Sequence, residues 1–337
     1  MGRRVTLKDI AAEVGLSPTA VSLVLNDRPC RVSKEKRDRI REVARARHYV
    51  PNQIARSLVS QQSHTFGLVI PNIESRFFSS LAHRLEVRCR RAGYAVFITN
   101  SDDAATNDAE LASQLITRGI DGLFLVAGDE LSPCASLLEA MRTTPVPYVM
   151  VDRSVEGLAG DRVAFDHEEG GYLATRYLIE RGHERIACVA NVERSNTGRA
   201  RHAGYERALT EAGIKGDKSL VLQSDYSIAG GYAAGEALLE TGATAVFASS
   251  DNIALGLLKY MRDHGMSVPD DMSLVSYDNS NADLLFETKL TSVAQDVDLL
   301  AERALAIMLA RLQPGPADPV EELLDPVIVE GSSVHAA

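Results

Sequence analysis

Residues suited to binding a small polar molecule recur where apolar stretches of the sequence end. Carboxylates and arginines can pair with hydroxyl groups, and aromatic rings can stack on a flat ring or on the face of a sugar. The candidate contact residues found in this way are Ser75, Phe77, Phe78, Asp152, Arg153, Arg201, Tyr226, Ser250, Asp278 and Gln295. Some of them could instead be core, hinge or capping residues. We expect one of the two phenylalanines to be core, and we expect Asp251, a natural N-cap, to begin a helix.

The elements that must position these residues alternate between strands and helices. After residue 62, strand-like runs such as TFGLVIPNI, YAVFITN and IDGLFLVAG are separated by helical runs such as FFSSLAHRLEVRCRRAG. A second series of the same kind begins near Gly170. This alternation predicts parallel sheets with helices on both faces, and two series predict two lobes. Open α/β sheets bind ligands at the carboxyl ends of their strands, so we expect the candidate residues to meet between the lobes.

No catalytic or cofactor motif accompanies these residues. The glycines of IAGGYAAG have the wrong spacing for a dinucleotide loop, and the patterns GxxxxGK[ST] and GxSxG do not occur. We expect His183 to be structural, and His202 has no neighbours that suggest a triad or a metal site. The four cysteines form no CxxC pair, which fits reduced thiols in the cytoplasm. The sequence therefore predicts a binding protein with no cofactor and no metal.

The N-terminal part of the chain differs in charge from the rest. Residues 1–62 carry a net charge of +7 and the remaining residues −17, within a total of −10. A basic segment attached to an acidic body suggests that only this segment meets a polyanion. No apolar run approaches the roughly 18 residues of a membrane span, and no secretory signal is expected.

Within this basic segment, TLKDIAAEVGLSPTAVSLVLN predicts two short helices joined by a tight turn. Thr6 fits a capping box, Gly15 ends the first helix, and Ser17 with Pro18 begins the second. A third helix follows, capped by Ser33. Three such helices form a helix-turn-helix unit, whose second helix fits the major groove of DNA. An ordinary helical subdomain is the alternative, and the local positive charge favours DNA binding.

This stretch resembles the headpiece of the LacI/GalR (lactose-repressor) family of bacterial transcription regulators. The likeness continues through HYVPNQIARSLVSQQSHTFGLVIPNI and covers essentially the whole chain. The family joins an all-α helix-turn-helix headpiece to a bilobed α/β body with two doubly wound parallel sheets, similar to periplasmic binding proteins. The chain of such a body crosses between the lobes three times, here near 163, 292 and 326. The resemblance thus implies a headpiece at 1–48, a hinge at 49–62, a first lobe at 63–163 and 293–326, and a second lobe at 164–292 and 327–337.

The resemblance also implies which residues contact DNA. The run NQIARSL is too short to be stable as an isolated helix, and the family uses it as a hinge helix. Its leucine, here Leu58, would wedge into the minor groove; a plain linker is the alternative. The base-reading positions carry Pro18, Thr19 and Leu23, and leucine cannot read guanine as the arginine of many relatives would. The implied DNA-binding set is Thr6, Ser17, Pro18, Thr19, Ser22, Leu23, Asn26, Asn52, Ala55, Arg56 and Leu58.

For the effector, the resemblance favours a monosaccharide, because the candidate residues match the contact positions of sugar-binding members. Ser250, however, stands where those members usually have asparagine. The loop NTGRAR also resembles purine-binding members, with Thr197 as a base contact, so a purine or nucleoside is the alternative. We therefore expect an effector-controlled regulator, most simply a repressor, that binds a palindromic operator as a homodimer. A transport-type sugar-binding protein is disfavoured by the basic headpiece, and an enzyme by the missing motifs.

Overall fold

The computed structural model describes residues 5–49, 62–131, 134–280, 288–315 and 318–337. The chain divides into two compact units, Met1–Ser63 and His64–Ala337. The predicted hinge residues Asn52, Ala55, Arg56 and Leu58 lie outside the described residues. No helix in the described part of the chain is long and apolar enough to cross a membrane.

Within residues 5–49, the first unit contains three short helices, as the sequence predicted. They are α1 (Leu7–Val14), α2 (Pro18–Leu25) and α3 (Lys34–Ala46). Each contributes apolar side chains to one small core made of Ile10, Ala11, Val21, Val24, Ile40 and Val43. Because none of these helices is long enough to be stable alone, this shared core must hold them together.

The capping signals read from the sequence are confirmed in this unit. Thr6 and Asp9 form the capping box of α1, and Gly15 ends that helix with a left-handed φ of 65°. The Ser17 hydroxyl accepts a hydrogen bond from the backbone N–H of Ala20 at 3.1 Å. The caps fix where each helix begins, and so they fix which residues of α2 face outward.

The second unit begins with alternating strands and helices that build a six-stranded sheet. Its elements are β1 (Thr65–Ile70), α4 (Arg76–Arg91), β2 (Ala95–Asn100), α5 (Ala105–Thr117), β3 (Gly122–Leu125), α6 (Ala135–Thr143), β4 (Tyr148–Val151) and β5 (Asp161–Phe165). A later strand, β11 (Glu321–Leu324), completes the order β11–β5–β4–β3–β1–β2. Every neighbouring pair in this sheet is parallel.

A second six-stranded sheet follows along the chain. Its elements are α7 (His167–Ile179), β6 (Ile186–Ala190), α8 (Asn196–Glu211), a short 3-10 turn (Lys218–Leu220), β7 (Val221–Gln223), α9 (Ile228–Ala233), α10 (Gly235–Glu240), β8 (Ala245–Ala248), α11 (Asp251–Asp263), β9 (Ser273–Asp278), β10 (Thr291–Ala294) and β12 (Val327–Val329). The strand order is β12–β10–β9–β8–β6–β7. The edge strand β12 is antiparallel, unlike the others, because it arrives from β11 without the crossover that a parallel strand needs.

The chain crosses between the two sheets three times, at 166, at 295–296 and at 325–326. After the second crossing, α12 (Val297–Arg311) packs on the first sheet. The crossings predicted near 163 and 292 lie slightly further along the chain, because those residues are still inside β5 and β10. Strand pairing continues to Phe165 and Ala294, so each crossing begins only after its strand has ended.

Two glycines allow α7 and α8 to cross at backbone contact. A Cβ on Gly171 would collide with the backbone of Arg201, and a Cβ on Gly204 would collide with the backbone of Glu168. Any larger residue would push the helices apart. This close crossing fixes the position of Arg201, whose backbone makes one of the two contacts.

We therefore expect Gly204→Ala to lower the free energy of unfolding by about 1–3 kcal/mol, because the added methyl group overpacks the crossing. Gly216→Ala is the matched control, since nothing lies within 4 Å of a Cβ at that glycine. Urea denaturation of both variants measures the difference. Equal stability of the two variants would contradict the proposed backbone contact.

Candidate functional site

A cavity of about 470 Å³ lies at the carboxyl ends of strands from both sheets. The structure thus brings together most of the residues predicted to bind a ligand. Ten of them line the cavity: Ser75, Phe77, Phe78, Asp152, Arg153, Thr197, Arg201, Tyr226, Ser250 and Asp278. Parallel strands deliver their carboxyl ends to one edge of a sheet, and here two such edges face each other.

The backbone is unusual at four of the carboxylates that line the cavity. Asp102, Asp103, Asp152 and Asp278 have φ values of 55°, 58°, 67° and 90°. Residues other than glycine rarely adopt a positive φ, and such conformations concentrate at binding and active sites. Aspartate tolerates this region better than most residues. These strand ends are therefore shaped to turn carboxylates toward the cavity.

Arg201 is the most completely held cation of the cavity, with only 5% of its surface exposed. Its guanidinium carbon lies 3.7 Å from the centre of the Tyr277 ring, and its Nη1 donates to the Ser249 carbonyl oxygen at 2.5 Å. Nη2 lies 3.7 Å from an Asp278 carboxylate oxygen. Burial opposes the charge, but Tyr277 and Asp278 more than compensate and raise the pKa of Arg201. The group stays a cation.

Two buried carboxylates lie near this guanidinium. Burial raises the pKa of Asp278 to about 7 and that of Asp152 to about 6, although Arg201 partly opposes both shifts. Both groups therefore titrate near neutral pH. His167, beside them, has a pKa well below its usual value because of its burial and the nearby Arg201 charge, so it is a neutral imidazole.

Arg153 is held by the first lobe. Its Nη1 donates to an Asp103 carboxylate oxygen at 2.6 Å and to the Ala127 carbonyl oxygen at 3.2 Å. The guanidinium carbon lies 4.9 Å from the centre of the Phe78 ring. Both Phe77 and Phe78 are buried and both line the cavity, so each serves the core and the site together.

The structure gives roles other than the predicted ones to Gln295, Ser250 and Asp251. Gln295 is buried at the second crossing but does not line the cavity, and neither atom of its amide has a hydrogen-bond partner among the described residues. Ser250, not Asp251, is the N-cap of α11, because the Ser250 hydroxyl accepts from the N–H of Ile253 at 3.2 Å. Asp251 instead accepts from the Ser276 hydroxyl at 2.5 Å. The Asp251 carboxylate is therefore hydrogen-bonded to β9 and does not cap the helix.

The two lobes touch through Asp129, which the sequence analysis did not single out. Its carboxylate accepts from the backbone N–H of Thr197 at 3.1 Å and from the Thr197 hydroxyl at 2.5 Å, and also from the Ser195 hydroxyl. The Tyr226 hydroxyl lies 2.9 Å from that of Ser195 and 3.0 Å from that of Thr197. Thr197, predicted as a base contact, therefore makes a lobe-to-lobe contact.

Other residues of the site also escaped the sequence analysis. They are Asn72, Asp102, Asp103, Asp225 and Asn252, which line the cavity, and Asp129, His167 and Tyr277, which support it. Asp102, Asp103 and Asp129 follow strand-like runs, so the same rule of strand ends could have found them. No local sequence pattern marks His167 as a residue of the site, because its position is fixed by contacts with Asp152 and Tyr277, which are not its neighbours in sequence.

The two histidines judged non-catalytic occupy structural positions. His183 is buried, with its ring nitrogens 2.9 Å from the Thr244 hydroxyl and 3.1 Å from the His335 carbonyl oxygen. His202 stacks on Tyr205 with ring centres 5.8 Å apart. Neither histidine lines the cavity.

Apart from Thr6, which precedes α1, the candidate DNA-binding residues of the headpiece lie at the start and along one side of α2. Pro18 and Thr19 are exposed, whereas Ser22, Leu23 and Asn26 are partly buried. The hydroxyls of Thr6 and Ser17 are already used as helix caps. The amide of Asn26 donates back to the Ser22 carbonyl oxygen at 2.7 Å.

Comparison with known proteins agrees with both units. Residues 6–52 match the model of bacterial regulatory proteins of the lacI family, and residues 175–334 match that of a periplasmic binding protein-like domain. A relative from Erwinia tasmaniensis, the HTH-type transcriptional repressor PurR, is 33% identical over 98% of this chain and 96% of its own. The chain belongs to the LacI family. It is a DNA-binding transcriptional repressor, and it is not an enzyme.

Solved structures of this LacI family share the whole architecture. The lac repressor dimer bound to operator and the anti-inducer ONPF superimposes with a TM-score of 0.88, at 25% identity, over 99% of this chain and 100% of that chain. The complex of the regulator CelR with cellobiose gives a TM-score of 0.72 at 28% identity, over 98% and 100%. The helix-turn-helix headpiece and the two-lobed body are thus the family fold.

The Asp129 contacts yield a prediction about the lobes. Asp129→Asn should weaken the contact between the lobes, because charged hydrogen bonds are worth about 1.5–3 kcal/mol each and an amide cannot replace a carboxylate that accepts three. Small-angle X-ray scattering of residues 64–337 should then show a larger radius of gyration. Glu130→Gln is the control, since that side chain contacts Ala105 of its own lobe. Identical scattering from wild type and Asp129→Asn would contradict this role.

Proposed function

We propose that the affinity of this repressor for a palindromic operator is controlled by a small effector, a monosaccharide, bound in the cavity between the lobes. The protein acts as a homodimer in the cytoplasm and needs no cofactor. The headpiece binds DNA, and the acidic body binds the effector. The proposal rests above all on the cluster of Arg201, Asp152 and Asp278 at the cavity.

Unpaired polar atoms in this cluster support a hydroxyl-bearing ligand. Asp152 Oδ1 and Arg201 Nε are both buried and have no hydrogen-bond partner among the described residues. Leaving such atoms unpaired costs free energy, so they are suited to bind a partner. A sugar offers hydroxyls that donate to the carboxylate and oxygens that accept from the guanidinium. The rings of Phe77 and Phe78 supply apolar surface for the sugar face.

The contacts of Thr197 favour the sugar over a purine. Its hydroxyl and its backbone N–H both donate to Asp129, so neither is free to contact a base. The CelR relative, whose complex contains cellobiose, is consistent with a sugar. A purine or nucleoside is the second candidate, because a relative of 33% identity carries the name PurR.

The proposed DNA interface is the exposed start of α2. Pro18 and Thr19 would contact base edges, and Leu23 would contact a thymine methyl. Residues 50–61 join the headpiece to β1, and we assign them the hinge role, with Leu58 as the minor-groove wedge. One headpiece covers little DNA, so two copies related by two-fold symmetry would bind the two halves of a palindrome.

The effector and the operator would be linked through the lobes. A ligand that contacts Arg201 of the second lobe and Asp152 of the first binds most tightly when the lobes are close. A change in the angle between the lobes of a dimer alters the spacing of the two first lobes and of the headpieces attached to them. Coupling of this kind is reciprocal, so operator binding must change effector affinity by the same factor.

The experiment uses an operator selected from random duplexes and an effector chosen from monosaccharides and nucleosides by thermal shift. We expect Arg201→Ala and Asp278→Ala to abolish the influence of effector on operator affinity, while operator affinity without effector changes little. Because a lone buried charge is destabilising, the double variant Arg201→Met with Asp278→Asn removes both charges and keeps the volume. Fluorescence anisotropy of labelled operator measures each affinity.

Arg199→Ala is the matched control for this experiment. Arg199 lies on the same helix but is exposed, and its Nε donates to the Val192 carbonyl oxygen. A full response to effector in the double variant would show that the effector binds elsewhere. If a nucleoside proved to be the active ligand, the second candidate would be correct and the sugar would not be the effector.

Effector binding should also depend on pH. Because burial raises the pKa of Asp278 to about 7, its carboxyl gains a proton as the pH falls through this value. A protonated carboxyl offers fewer acceptor sites to ligand hydroxyls, so effector affinity should fall between about pH 8 and about pH 6. Asp278→Asn should bind more weakly at every pH and show a flatter profile. Isothermal titration calorimetry at several pH values measures this, and a flat wild-type profile would contradict it.

A further inference from the structure

The charges that line the cavity are far from balanced. Six carboxylates and two guanidinium groups line it. The carboxylates belong to Glu74, Asp102, Asp103, Asp152, Asp225 and Asp278. The guanidinium groups belong to Arg153 and Arg201. The excess of acidic side chains decides which ligands can enter.

Each guanidinium charge already has a carboxylate of the cavity within ion-pair distance. Arg153 already forms an ion pair with Asp103 at 2.6 Å. Arg201 lies against the Tyr277 ring, donates to the Ser249 carbonyl oxygen, and has Asp278 at 3.7 Å. Each cation is thus matched by a carboxylate in the cavity itself. A phosphate bound there would have to compete with these carboxylates.

Three of the other carboxylates form no ion pair with any described residue. The Asp102 carboxylate accepts from the Asn100 amide at 2.5 Å, and that of Asp225 accepts from the Ser227 N–H at 3.0 Å. Glu74 lies at the mouth of the cavity and is exposed. The next cation along the chain, Arg76, directs its Nε to the Ser280 carbonyl oxygen at 3.1 Å. Among the described residues, no ion pair therefore offsets the negative charge of these three carboxylates.

Protonation does not remove the imbalance. Burial raises the pKa of Asp278 to about 7 and that of Asp152 to about 6, so both can be neutral near pH 6. Glu74, Asp102, Asp103 and Asp225 still outnumber the two guanidinium groups. The start of α4, which has no side-chain cap, offers N–H groups, but Glu74 lies just before its N-cap residue Ser75. An anion at that helix end would face this carboxylate.

We propose that the cleft binds only unphosphorylated, uncharged ligands, and that sugar phosphates, sugar acids and nucleotides are excluded from it. This inference rests on the proposed function, in which the cavity is the effector site. A phosphate group brings up to two negative charges into a space where carboxylates are in excess and where each guanidinium charge already faces a carboxylate. The regulator therefore responds to a free sugar and not to the phosphorylated product of that sugar.

The first test uses matched pairs of probes that differ only in a phosphate group. The pairs are ribose and its phosphate monoester, glucose and its phosphate monoester, and inosine and its monophosphate. Isothermal titration calorimetry with the full chain should show binding by the uncharged member of one pair and at least about 100-fold weaker binding by its phosphate. Equal or tighter binding of the phosphate would overturn the proposal. Failure of every probe would contradict the proposed ligand classes, and the charge argument is then decided by the second test.

The second test measures the charge of the cleft without any effector. Ile73→Cys places a thiol at the cavity on a side chain that is 49% exposed. Leu323→Cys is the matched control, 52% exposed on β11. It follows Glu321 and Glu322, which are ion-paired with Arg162 and Arg303 at 2.9 Å and 2.6 Å. Both thiols are labelled with trimethylammonioethyl or sulfonatoethyl methanethiosulfonate, and peptide mass spectrometry follows each site separately from the native cysteines.

The ratio of cationic to anionic labelling rates should be about tenfold higher for Ile73→Cys than for Leu323→Cys at low salt. The difference should shrink as salt screens the field. Adding Asp102→Asn and Asp225→Asn to Ile73→Cys should bring its ratio toward that of the control. Equal ratios at both sites would overturn the proposed charge of the cleft, whatever the sugars do.

Discussion

The burial of the Arg201 guanidinium is the constraint on which the rest of the body depends. A buried cation is tolerated only when other groups replace its lost hydration. Here the Tyr277 ring, the Ser249 carbonyl oxygen and the Asp278 carboxylate all do so. Two of these groups belong to β9 and the third follows β8. One side chain on α8 thus fixes how the ends of two strands are arranged.

The positive charge of Arg201 also acts on a carboxylate of the other lobe. Arg201 lowers the pKa of Asp152, which burial alone would raise further, and Asp152 belongs to the first lobe. The effect weakens as charges separate, so it is strongest when the lobes are close. The Asp129 contacts with Ser195 and Thr197 act in the same direction. Both the charge of Arg201 and the hydrogen bonds of Asp129 are therefore favoured when the two lobes are close together.

Local signals explain what could be predicted from the sequence. Three helices begin at an N-cap side chain that accepts a hydrogen bond from the backbone three residues later. These caps are Thr6, Ser17 and Ser33, and the local sequence is enough to find them. The cluster of residues around the cavity was also predictable, because the ends of parallel strands meet at one edge whatever their distance along the chain. The antiparallel direction of β12 was not predictable from the sequence. It depends on which strand β12 pairs with, and the periodicity of the β12 residues does not show this.

Pairwise contacts between the lobes explain what was missed. Asp129 and Thr197 are 68 positions apart, and nothing in either local sequence marks their contact. Gln295 differs in the other direction: it was expected at the ligand, but it is buried at the second crossing and is not among the residues that line the cavity. In both cases the arrangement of the two lobes, and not local pattern, decides the role.

These lobe-to-lobe contacts also limit how an effector can act. A ligand shifts an equilibrium only by the difference between its affinities for the two states. Asp129, Ser195 and Thr197 already join the lobes through contacts of the protein itself, so the ligand need not supply all of the free energy of closure. Its own share comes from the atoms that remain unpaired, Asp152 Oδ1 and Arg201 Nε. One of these atoms belongs to each lobe, so a small molecule that binds both becomes a further link between them.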